Sequence, residues 1–589
     1  MQRQQSWSST ALSVAGGIVL LLLLLAGVGG SAPPARAEPR AELQVCASGC
    51  PYTTVQSAID AAAPGDVVQI ATGVYTGVIA QGGSSQIAYL TKTLTLRGGY
   101  NAAFTAWDPA LYPTRLDAQN AGRVVRVNGA ISVTLEGLQL ANGYASNSGA
   151  GVYSVDATLR VLHCLIEDNR VNPTFNGNLG VGLHQSGGTL LMEDSTVQEN
   201  QPNPGGDNSH DGGGLYAINA TVAITASQFL SNTAAVNSNL CGTGGGMHLE
   251  NSTSYLRGLT FRANSATSCN GGGGGLWDRN GSLHLFDSTF EGNTNGGAST
   301  YSPNTVISGN TFRANTGYGL YISGWSYPVA NITVTANLVE NNTGIGMLVG
   351  NRAVNMLVED NDFTGNAGGL KLGAVSDTGA ATTVRVLNNR FQNNSITGDG
   401  GGAHLTGAID VIGNRFTGNT ATGKGGGVFQ QEYCSDPYSS YSCHDNASAV
   451  TGDNLFQGNS AAFGGGLYSV PKYSANLRIA YRNLVFLENT ATTSGSALYF
   501  YRYTSTPVTF QHLTVANNTG GDGTMIYHMM GKAIYTNTIL ADGVIGIKRQ
   551  NDTVTLDHVL RHNVITPTLN ANTWGPPAPR RLMRAPPRK

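Results

Sequence analysis

Side chains that could bind sugar recur at one position of this 589-residue chain. After several glycine-rich turns, a short predicted strand begins with an apolar residue, and the residue after it must point the opposite way. If Leu215 and its equivalents point inward, that second position faces solvent in a single row. The row comprises Tyr153, His184, Tyr216, His248, Trp277, Tyr321, Leu348, Lys371, His404, Phe429, Tyr468 and Tyr499.

Such a row is unusual, because solvent faces of sheets are normally rich in Thr, Ser and charged residues. Aromatic faces stack on sugar rings, and flanking Asn and Asp side chains can bond hydroxyls. The row therefore predicts a glycan-binding face. The alternative is that the rings stack on one another or pack beneath loops. The glycan-binding candidates are Tyr153, His184, Tyr216, His248, Trp277, Tyr321, Lys371 and His404.

The lengths of the turns before these strands predict a trough. Fifteen residues separate Asn200 from Leu215, but only five separate Asn315 from Leu320. A long insertion, 430–446, follows Phe429. We therefore expect long loops at both ends of the row and a low stretch around Tyr321 and Lys371, where a polysaccharide could lie.

Acidic residues near the row raise the possibility of catalysis. His210 and Asp211 are the best candidates for a catalytic pair, because they lie next to the row. Two other acidic groups are 359–362 and Asp278 beside Arg279. Solvated turn residues explain each group equally well.

The elements that would position these side chains are set by a repeat. An apolar residue, often Phe, is followed three positions later by Asn in thirteen cycles, spaced 22 to 40 residues apart. A period of this length indicates one structural unit per cycle, and therefore a solenoid. The repeated Asn residues are Asn169, Asn200, Asn232, Asn264, Asn293, Asn315, Asn342, Asn366, Asn394, Asn419, Asn459, Asn489 and Asn518.

The composition of each cycle indicates β structure. The chain has 79 Gly and only 12% charged residues, and short runs such as 93–96 and 384–387 alternate apolar and polar residues. We expect three short strands per cycle, stacked in parallel sheets. The repeated Asn is expected to occupy a left-handed turn and to bond the Asn of the next coil, while the Phe rings stack. The glycine tracts are expected to allow positive φ at a corner.

The segment Tyr52–Tyr75, YTTVQSAIDAAAPGDVVQIATGVY, resembles the opening of right-handed parallel β-helix proteins of the pectin-lyase-like superfamily. The resemblance implies an all-β fold in which an amphipathic helix caps the solenoid, and Val55, Ile59 and Ala62 supply a matching apolar face. The Asn- and Gly-rich repeats are similar to those of bacterial surface proteins, including polymorphic-outer-membrane-type and adhesin-like chains.

That superfamily contains polysaccharide lyases and hydrolases, so the resemblance also implies possible enzymatic activity. The Gly-His-Gly and Arg-x-Lys motifs of polygalacturonase-type hydrolases do not occur in this chain. We therefore expect a non-catalytic protein for recognition of polysaccharides or cell-surface glycans. A polysaccharide lyase or glycoside hydrolase is the alternative, and a structural spacer is a third. No cofactor is expected.

The N-terminus predicts export. Arg3 precedes an apolar core at 18–28, and Ala35-Arg36-Ala37 is a small-x-small cleavage site before Glu38. We therefore expect a signal peptide at 1–37, no membrane span after its removal, and a secreted or cell-surface protein. An uncleaved anchor is the alternative. A β-helix domain at 38–570 is then expected, with its cap helix near 53–63 and coils over about 66–560, followed by a disordered Pro/Arg-rich tail at 571–589.

The seven cysteines agree with export, because close pairs can form disulfides in an oxidising compartment. A zinc site is the rival interpretation, but the spacings match no zinc module, so no metal is expected. Cys164, in an apolar context, is predicted to be a buried thiol. The candidate pairs are Cys46/Cys50, Cys241/Cys269 and Cys434/Cys443.

The net charge of −2, with scattered Lys and Arg, argues against a nucleic-acid partner. A monomer is expected, and a polysaccharide or surface glycan is the expected partner.

Overall fold

The computed structural model describes residues 41–172, 178–203, 210–234, 242–267, 272–324, 329–374, 384–407, 409–432, 448–471, 478–502, 507–550 and 553–570. The predicted signal peptide and C-terminal tail lie outside these residues. The described chain is an all-β parallel solenoid, as predicted. Each turn contributes strands to three stacks.

Stack 1 carries the predicted row and follows the glycine corners. Its strands pair in parallel with the equivalent strands of the coils before and after. The strands are Ser84–Leu90, Arg123–Asn128, Val152–Val155, Leu183–Ser186, Leu215–Ile218, Met247–Glu250, Leu276–Arg279, Ala298–Tyr301, Leu320–Ile322, Met347–Glu359, Leu370–Ala374, Ala403–Thr406, Val428–Glu432, Leu467–Pro471, Leu498–Tyr501, Thr524–Met529, Ile539–Gln550 and Leu560–Asn570.

Stack 2 follows stack 1 in each coil. The long strand Met347–Glu359 runs through both stacks, because its first half pairs with stack 1 and its second half with stack 2. The other strands of stack 2 are Val67–Ala71, Leu94–Tyr100, Ser132–Glu136, Thr158–Leu162, Thr189–Glu193, Thr221–Thr225, Thr253–Arg257, Ser282–Phe286, Thr305–Ser308, Val329–Thr335, Val384–Leu387, Asp410–Ile412, Ser448–Gly452, Arg478–Arg482, Val508–Gln511, Ala533–Thr536 and Val554–Asp557.

Stack 3 completes the coil and carries the repeated apolar residue. Ile539–Gln550 and Leu560–Asn570 contribute to both stack 3 and stack 1. The other strands are Gly73–Tyr75, Thr114–Asp117, Leu138–Ala141, Leu165–Glu167, Thr196–Gln198, Gln228–Leu230, Thr260–Arg262, Thr289–Glu291, Thr311–Arg313, Leu338–Glu340, Asp362–Thr364, Arg390–Gln392, Arg415–Thr417, Leu455–Gln457, Val485–Leu487 and Thr514–Ala516.

Shorter elements flank the stacks. Strand Glu42–Val45 precedes the first coil, and Ile79–Gln81 forms an antiparallel hairpin with Ser84–Leu90. Three small parallel sheets form at the corners. One contains Tyr144–Ala145, Arg170–Val171 and Gln201–Pro202, and a second contains Asn178–Leu179 and His210–Asp211. The third contains Ser395–Ile396, Thr420–Ala421, Ser460–Phe463 and Thr490–Ser494.

Helix α1, Val55–Ala61, lies within the predicted helical segment. The Thr54 hydroxyl caps its N-terminus by accepting a hydrogen bond from the Ser57 amide at 3.3 Å. The predicted apolar residues Val55, Ile59 and Ala62 are all buried in the core. Its role as a cap stays a prediction.

The predicted Asn ladder is confirmed in full. Each of the first twelve repeated Asn residues donates from Nδ2 to the Oδ1 of the Asn in the next coil, at 2.9–3.2 Å, so the ladder links all thirteen. The Phe rings beside it also stack, with centroids 4.6–5.1 Å apart.

The left-handed turn lies one residue earlier than predicted. The residue before each ladder Asn has positive φ, as in Asp168 (54°), Ala314 (52°) and Gly418 (66°), whereas the Asn itself does not. This arrangement leaves the Asn amide free to point inward, where Asn419, for example, also donates to the Phe391 carbonyl at 2.9 Å. The Asn is therefore selected for its side-chain hydrogen bonds and not for its backbone conformation.

The sequence reading missed a second Asn ladder on the neighbouring turn. It links Asn310, Asn337, Asn361, Asn389, Asn414 and Asn454, with Nδ2-to-Oδ1 distances of 2.9–3.1 Å. The signal was available as an Asn five residues before each ladder Asn of these coils. An Ile or Val also lies three residues before each of the first five, as in Ile307/Asn310 and Val411/Asn414, but no Phe marks this second turn.

Candidate functional site

Parallel pairing places the predicted row in register along stack 1. Tyr153 pairs with His184, His184 with Tyr216, Tyr216 with His248 and His248 with Trp277. The C-terminal half, from Leu348 to Tyr499, is likewise in register.

The row is longer than predicted and contains a residue that sequence reasoning missed. Ser299 lies between Trp277 and Tyr321. Its coil begins with Ala298 after a short glycine turn, so it lacks the large residues that mark the other coils. Tyr89 and Arg126 extend the row before Tyr153, and Tyr527 extends it after Tyr499.

The prediction that the whole row faces solvent is wrong. His184, Tyr216, His248 and Trp277 are all buried, the last with only 4% of its surface exposed. Successive rings from Tyr153 to Trp277 lie 4.3–5.6 Å apart and shield one another. These four candidates therefore cannot present open ring faces to a sugar.

The glycine corners also cover these rings. A Cβ atom added to Gly180 or Gly212 would lie 2.9 Å from the Cβ of Tyr216, so only glycine lets the corner pack this closely. The same corner presents its Leu179 carbonyl to His184 Nδ1 at 3.2 Å. Burial, with a smaller effect from Arg123, lowers the pKa of His184 to about 4.

Polar residues beside the buried rings form a connected network. Thr243 Oγ1 donates to Asp211 Oδ1 at 2.6 Å and lies 2.8 Å from His248 Nδ1. On the other side, Tyr216 donates to Glu250 at 2.5 Å, and Arg279 pairs with the same carboxylate. Asp211, one of the two catalytic candidates, thus faces His248, and the side chain of His210 lies outside the described residues.

Burial and hydrogen bonding shift the acidities of this network. Burial opposes ionisation of Glu250, but hydrogen bonds from Tyr216 and Arg279 outweigh it and lower the pKa of the carboxyl. Burial lowers the pKa of His248 despite the nearby Asp211 and Glu250. The His248 ring is therefore buried and neutral, and the Glu250 carboxylate is ionised and paired with Tyr216 and Arg279.

Asp278 is the carboxyl with the most perturbed acidity, but it lies inside the coil. It is fully buried, Thr300 Oγ1 donates to its Oδ2 at 2.7 Å, and burial raises its pKa to about 6. Its neighbour Arg279 points the other way, toward Trp277. The two residues, adjacent in sequence, therefore do not form a common site.

An open stretch does exist where the corners are short. Tyr301, Tyr318 and Tyr321 are half-buried, and we call them the tyrosine platform. Tyr321 lies 5.7 Å from both of the other rings. The buried ring of Trp277 contacts the platform, with its centroid 5.4 Å from that of Tyr301.

Beyond the platform, the row stays accessible for three more coils. Leu348 and His404 are half-buried and Lys371 is exposed. Burial, together with the Lys371 charge, lowers the pKa of His404. The following members of the row are buried again and form a separate cluster, which comprises Phe429, Tyr468, Tyr499 and Tyr527. The trough predicted around Tyr321 and Lys371 thus coincides with the most open part of the row, whereas most of the predicted loop walls lie outside the described residues.

The structure joins Cys46 and Cys50 in a disulfide, with Cα atoms 5.7 Å apart. Cys164 is a buried free thiol whose pKa burial raises to about 12. The other candidate cysteines, Cys241, Cys269, Cys434 and Cys443, lie outside the described residues.

Over the described ranges, no group of three or more His, Cys, Asp or Glu side chains is arranged to hold a metal ion. None of the helices in the described part of the chain is long and apolar enough to cross a membrane.

Comparison with solved structures yields distant similarities. A double mutant of the periplasmic alginate epimerase AlgG is 12% identical, with a TM-score of 0.30, and the match covers 86% of this chain and 85% of that one. The A-module of the Azotobacter vinelandii mannuronan C-5 epimerase AlgE6 is 15% identical, with a TM-score of 0.27, over 72% and 93% of the two chains. The Streptococcus pneumoniae surface protein and adhesin PfbA is 9% identical, with a TM-score of 0.18, over 82% and 91%. Similarities this low carry no argument about activity.

No curated protein sequence matches the chain. A family model described as a right handed beta helix region matches residues 207–363, which span the coils of the polar network and the tyrosine platform. Together with the stacked parallel coils, this match identifies the chain as a right-handed parallel β-helix protein.

Proposed function

We propose that the protein binds a polysaccharide chain across the tyrosine platform and does not cleave it. The observation that carries the proposal is the clustering of three half-buried rings, Tyr301, Tyr318 and Tyr321, next to a stretch of the row whose rings, from His184 to Trp277, are buried. Three clustered rings with hydroxyl groups offer both apolar faces and hydrogen-bonding edges, which is the combination that sugars require.

The platform is held in place before any ligand arrives. Tyr301 and Tyr321 are linked by a side-chain hydrogen bond, and burial raises the pKa of Tyr301, so its hydroxyl stays protonated at neutral pH. Because the rings are already ordered by Trp277 and by each other, a bound sugar would not have to immobilise them. Preorganisation of this kind favours binding.

The short corners of this stretch also suit a long ligand. Leu348 and Lys371 continue the open surface along the solenoid axis, at steps of about 4.8 Å per coil. A linear polymer could therefore contact the platform and these residues together.

A polysaccharide lyase or hydrolase is the competing function. The network of Asp211, His248 and Glu250 is the only feature near the row, within the described residues, that resembles a catalytic constellation. Its His is neutral and buried, and its Glu is engaged by Arg279, which favours binding over catalysis.

The deciding experiment incubates the purified protein with a panel of neutral and acidic polysaccharides and scores retention and chain cleavage separately. Tyr321→Ala tests the platform, and Tyr255→Ala is the matched control, because Tyr255 is a half-buried, ring-stacked tyrosine on stack 2. Retention lost only in Tyr321→Ala supports the proposal. Cleavage would support the enzyme, and neither retention nor cleavage would favour a spacer.

We also infer that the chain is exported with removal of residues 1–37. The N-terminal apolar segment and the Cys46–Cys50 disulfide support this inference, since disulfides persist in oxidising compartments. Mass spectrometry of the protein from its native host should give a mature chain beginning at Glu38 outside the cytoplasm. An intact N-terminus in the cytoplasmic fraction would contradict export.

A further inference from the structure

One coil near the N-terminal end of the solenoid carries an insertion that the other described coils lack. Thirteen residues, 101–113, connect its stack 2 strand, Leu94–Tyr100, to its stack 3 strand, Thr114–Asp117. In the other described coils, the same connection has only one or two residues. A loop of this length on a regular solenoid is a common place for binding residues. The large apolar residues of the insertion are Phe104, Trp107, Leu111 and Tyr112.

Hydrogen bonding and close packing hold the insertion against the solenoid. The Trp107 indole donates from Nε1 to the Gly98 carbonyl at 2.8 Å. The ring of Pro109 packs on two glycines, because a Cβ atom added to Gly99 or Gly137 would lie 2.9 or 2.8 Å from the Pro109 Cγ. The indole is therefore fixed in position before any ligand binds, which lowers the cost of binding.

The fixed indole is nevertheless open to solvent. Trp107 is 41% exposed, whereas Trp277 of the row is only 4% exposed. Since the N–H group of Trp107 is already bonded to Gly98, the accessible part of the side chain is apolar ring surface. A rigid, exposed aromatic ring of this kind is suited to stacking on a sugar.

Polar side chains continue from Trp107 along the solenoid axis. The His163 ring lies 6.2 Å from the Trp107 ring, at an angle of 69°. In the next coil, Asp194 Oδ2 lies 2.9 Å from His163 Nδ1, and both side chains are exposed. Over the described residues, His163 Nε2 and Asp194 Oδ1 make no hydrogen bond, so both atoms are available to the hydroxyl groups of a ligand.

The corner that carries these side chains is open along its length. His163 and Asp194 occupy equivalent left-handed turns of adjacent coils, with φ of 51° and 45°, so they project from the same corner. The equivalent residues of the next two coils are Ala226 and Gly258, which add no bulky side chain. A linear saccharide could therefore lie along this corner, which advances by about 4.8 Å per coil.

We propose that Trp107, His163 and Asp194 form a second saccharide-binding site, which does not rest on the tyrosine platform. The indole stacks on one sugar ring, while the imidazole and the carboxylate bond hydroxyl groups of that sugar and the next. The exposed carboxylate of Asp194 would repel an acidic sugar, so the ligand is a neutral saccharide. A protein contact is the rival, because Leu111 on the same insertion is 65% exposed.

The test applies the full-length protein to an array of neutral glucans, mannans and xylans, with polyuronates as the acidic members. Trp107→Ala, made in wild type and in Tyr321→Ala, should weaken retention of at least one neutral saccharide by about fivefold or more, because the stacking surface is lost. Leu111→Ala is the matched control on the same insertion, and it should bind as its parent does. Retention of the polyuronates should not depend on Trp107.

His163→Ala is the second variant, because Trp107→Ala also removes the bond to Gly98 and could disturb the insertion. It should weaken retention of the same saccharide by about threefold or more, through the lost hydroxyl contact. Circular dichroism checks that each variant folds. The proposal is overturned if no neutral saccharide depends on both Trp107 and His163, or if Leu111→Ala causes an equal loss. Altered self-association of Trp107→Ala and Leu111→Ala, with unchanged saccharide retention, would assign the insertion to a protein contact instead.

The outcome is independent of the tyrosine platform. Six coil steps, or about 29 Å, separate the coil of His163 from that of Tyr321, and the two sites lie on different sides of the coil. Retention that depends on Trp107 should persist in Tyr321→Ala, and retention that depends on Tyr321 should persist in Trp107→Ala. Scoring each saccharide separately therefore tells the failure of one proposal from the failure of the other.

Discussion

Asn419 and Asn459 are 40 residues apart in sequence, yet the side-chain amide of the first donates to the side-chain oxygen of the second at 2.9 Å. This is the longest spacing in the repeat. The shortest, 22 residues between Asn293 and Asn315, gives nearly the same distance, 3.0 Å. The ladder therefore holds the coils at a constant separation whatever the length of the chain between them.

Asn419→Ala should lower the free energy of unfolding by about 1–3 kcal/mol, because it leaves buried partners in two neighbouring coils without hydrogen bonds. Denaturant titration measures the change. Asn128→Ala, at an exposed Asn without positive φ, is the control and should have a small effect. Equal stability of Asn419→Ala and wild type would contradict a stabilising role for the ladder.

Phe416→Ala should lower the free energy of unfolding by about 3–5 kcal/mol, because it opens a cavity in the stack of buried Phe rings. The Phe416 ring lies 4.7 Å from Phe391 and 5.1 Å from Phe456, and it is fully buried. Chemical denaturation of Phe416→Ala and Phe416→Leu tests this cause. Leucine fills more of the space than alanine, so Phe416→Leu should lose less stability. Similar losses in both variants would point away from a cavity.

Ala314→Gly should stabilise the protein by about 0.5–1 kcal/mol, because Ala314 adopts a φ of 52° that favours glycine. Gly292 and Gly365 occupy the equivalent turns of other coils. Ala223→Gly, in a regular strand, is the control and should destabilise by a similar amount. A melting temperature that falls for Ala314→Gly would contradict the assignment of the turn.

Asp278→Asn should change how stability depends on pH. Burial raises the pKa of this carboxyl to about 6 in the folded protein, from an ordinary value of 3.8. Between these values only the unfolded state ionises, so the free energy of unfolding falls as pH rises, by about 3 kcal/mol in total. Below this window the carboxyl contributes nothing to the pH dependence.

Urea titrations from pH 3 to pH 8 therefore should show a fall between about pH 4 and pH 6 in wild type that is missing in Asp278→Asn. Asp156→Asn, at an exposed carboxyl, should retain the wild-type profile. Identical profiles for wild type and Asp278→Asn would show that this carboxyl does not titrate as its burial implies.

Tyr321→Ala and Tyr216→Ala should have opposite consequences. Tyr321 is half-buried on the platform, so its loss should weaken polysaccharide binding by about 1 kcal/mol, roughly fivefold, with little effect on melting. Tyr216 is buried and bonded to Glu250, so its loss should lower the melting temperature. Affinity measurements and thermal melts of both variants distinguish the roles, and a large melting loss for Tyr321→Ala would show that its ring serves packing.

The fold could be predicted from the sequence because its signals are periodic and local. The apolar residue and the Asn three residues later mark the same turn of every coil, and the stacked Phe rings and the first Asn ladder follow from that register. The row of stack 1 was predictable for the same reason, apart from Ser299, whose coil has a small residue where others have a ring.

Exposure along the row could not be predicted, because it depends on contacts between segments. The sequence pattern says that Tyr216 points away from Leu215, but it does not say that the corner at Gly180 and Gly212 packs against that ring. For the same reason Asp211 was assigned to its neighbour His210, whereas the fold brings it to His248, from the next coil. Adjacency across coils is a property of stacking, which the alternation within one strand does not contain.

The pairing of each coil only with the coils before and after it also determines how the molecule resists force. When the two ends of such a chain are pulled apart, tension along the axis loads the terminal coil first, because the strands of each described coil pair only with those of adjacent coils. The terminal coil detaches as a unit and transfers the load to its neighbour. A tethered molecule would therefore lengthen in successive steps of one coil, and it would keep the remainder of its binding surface intact while it extends.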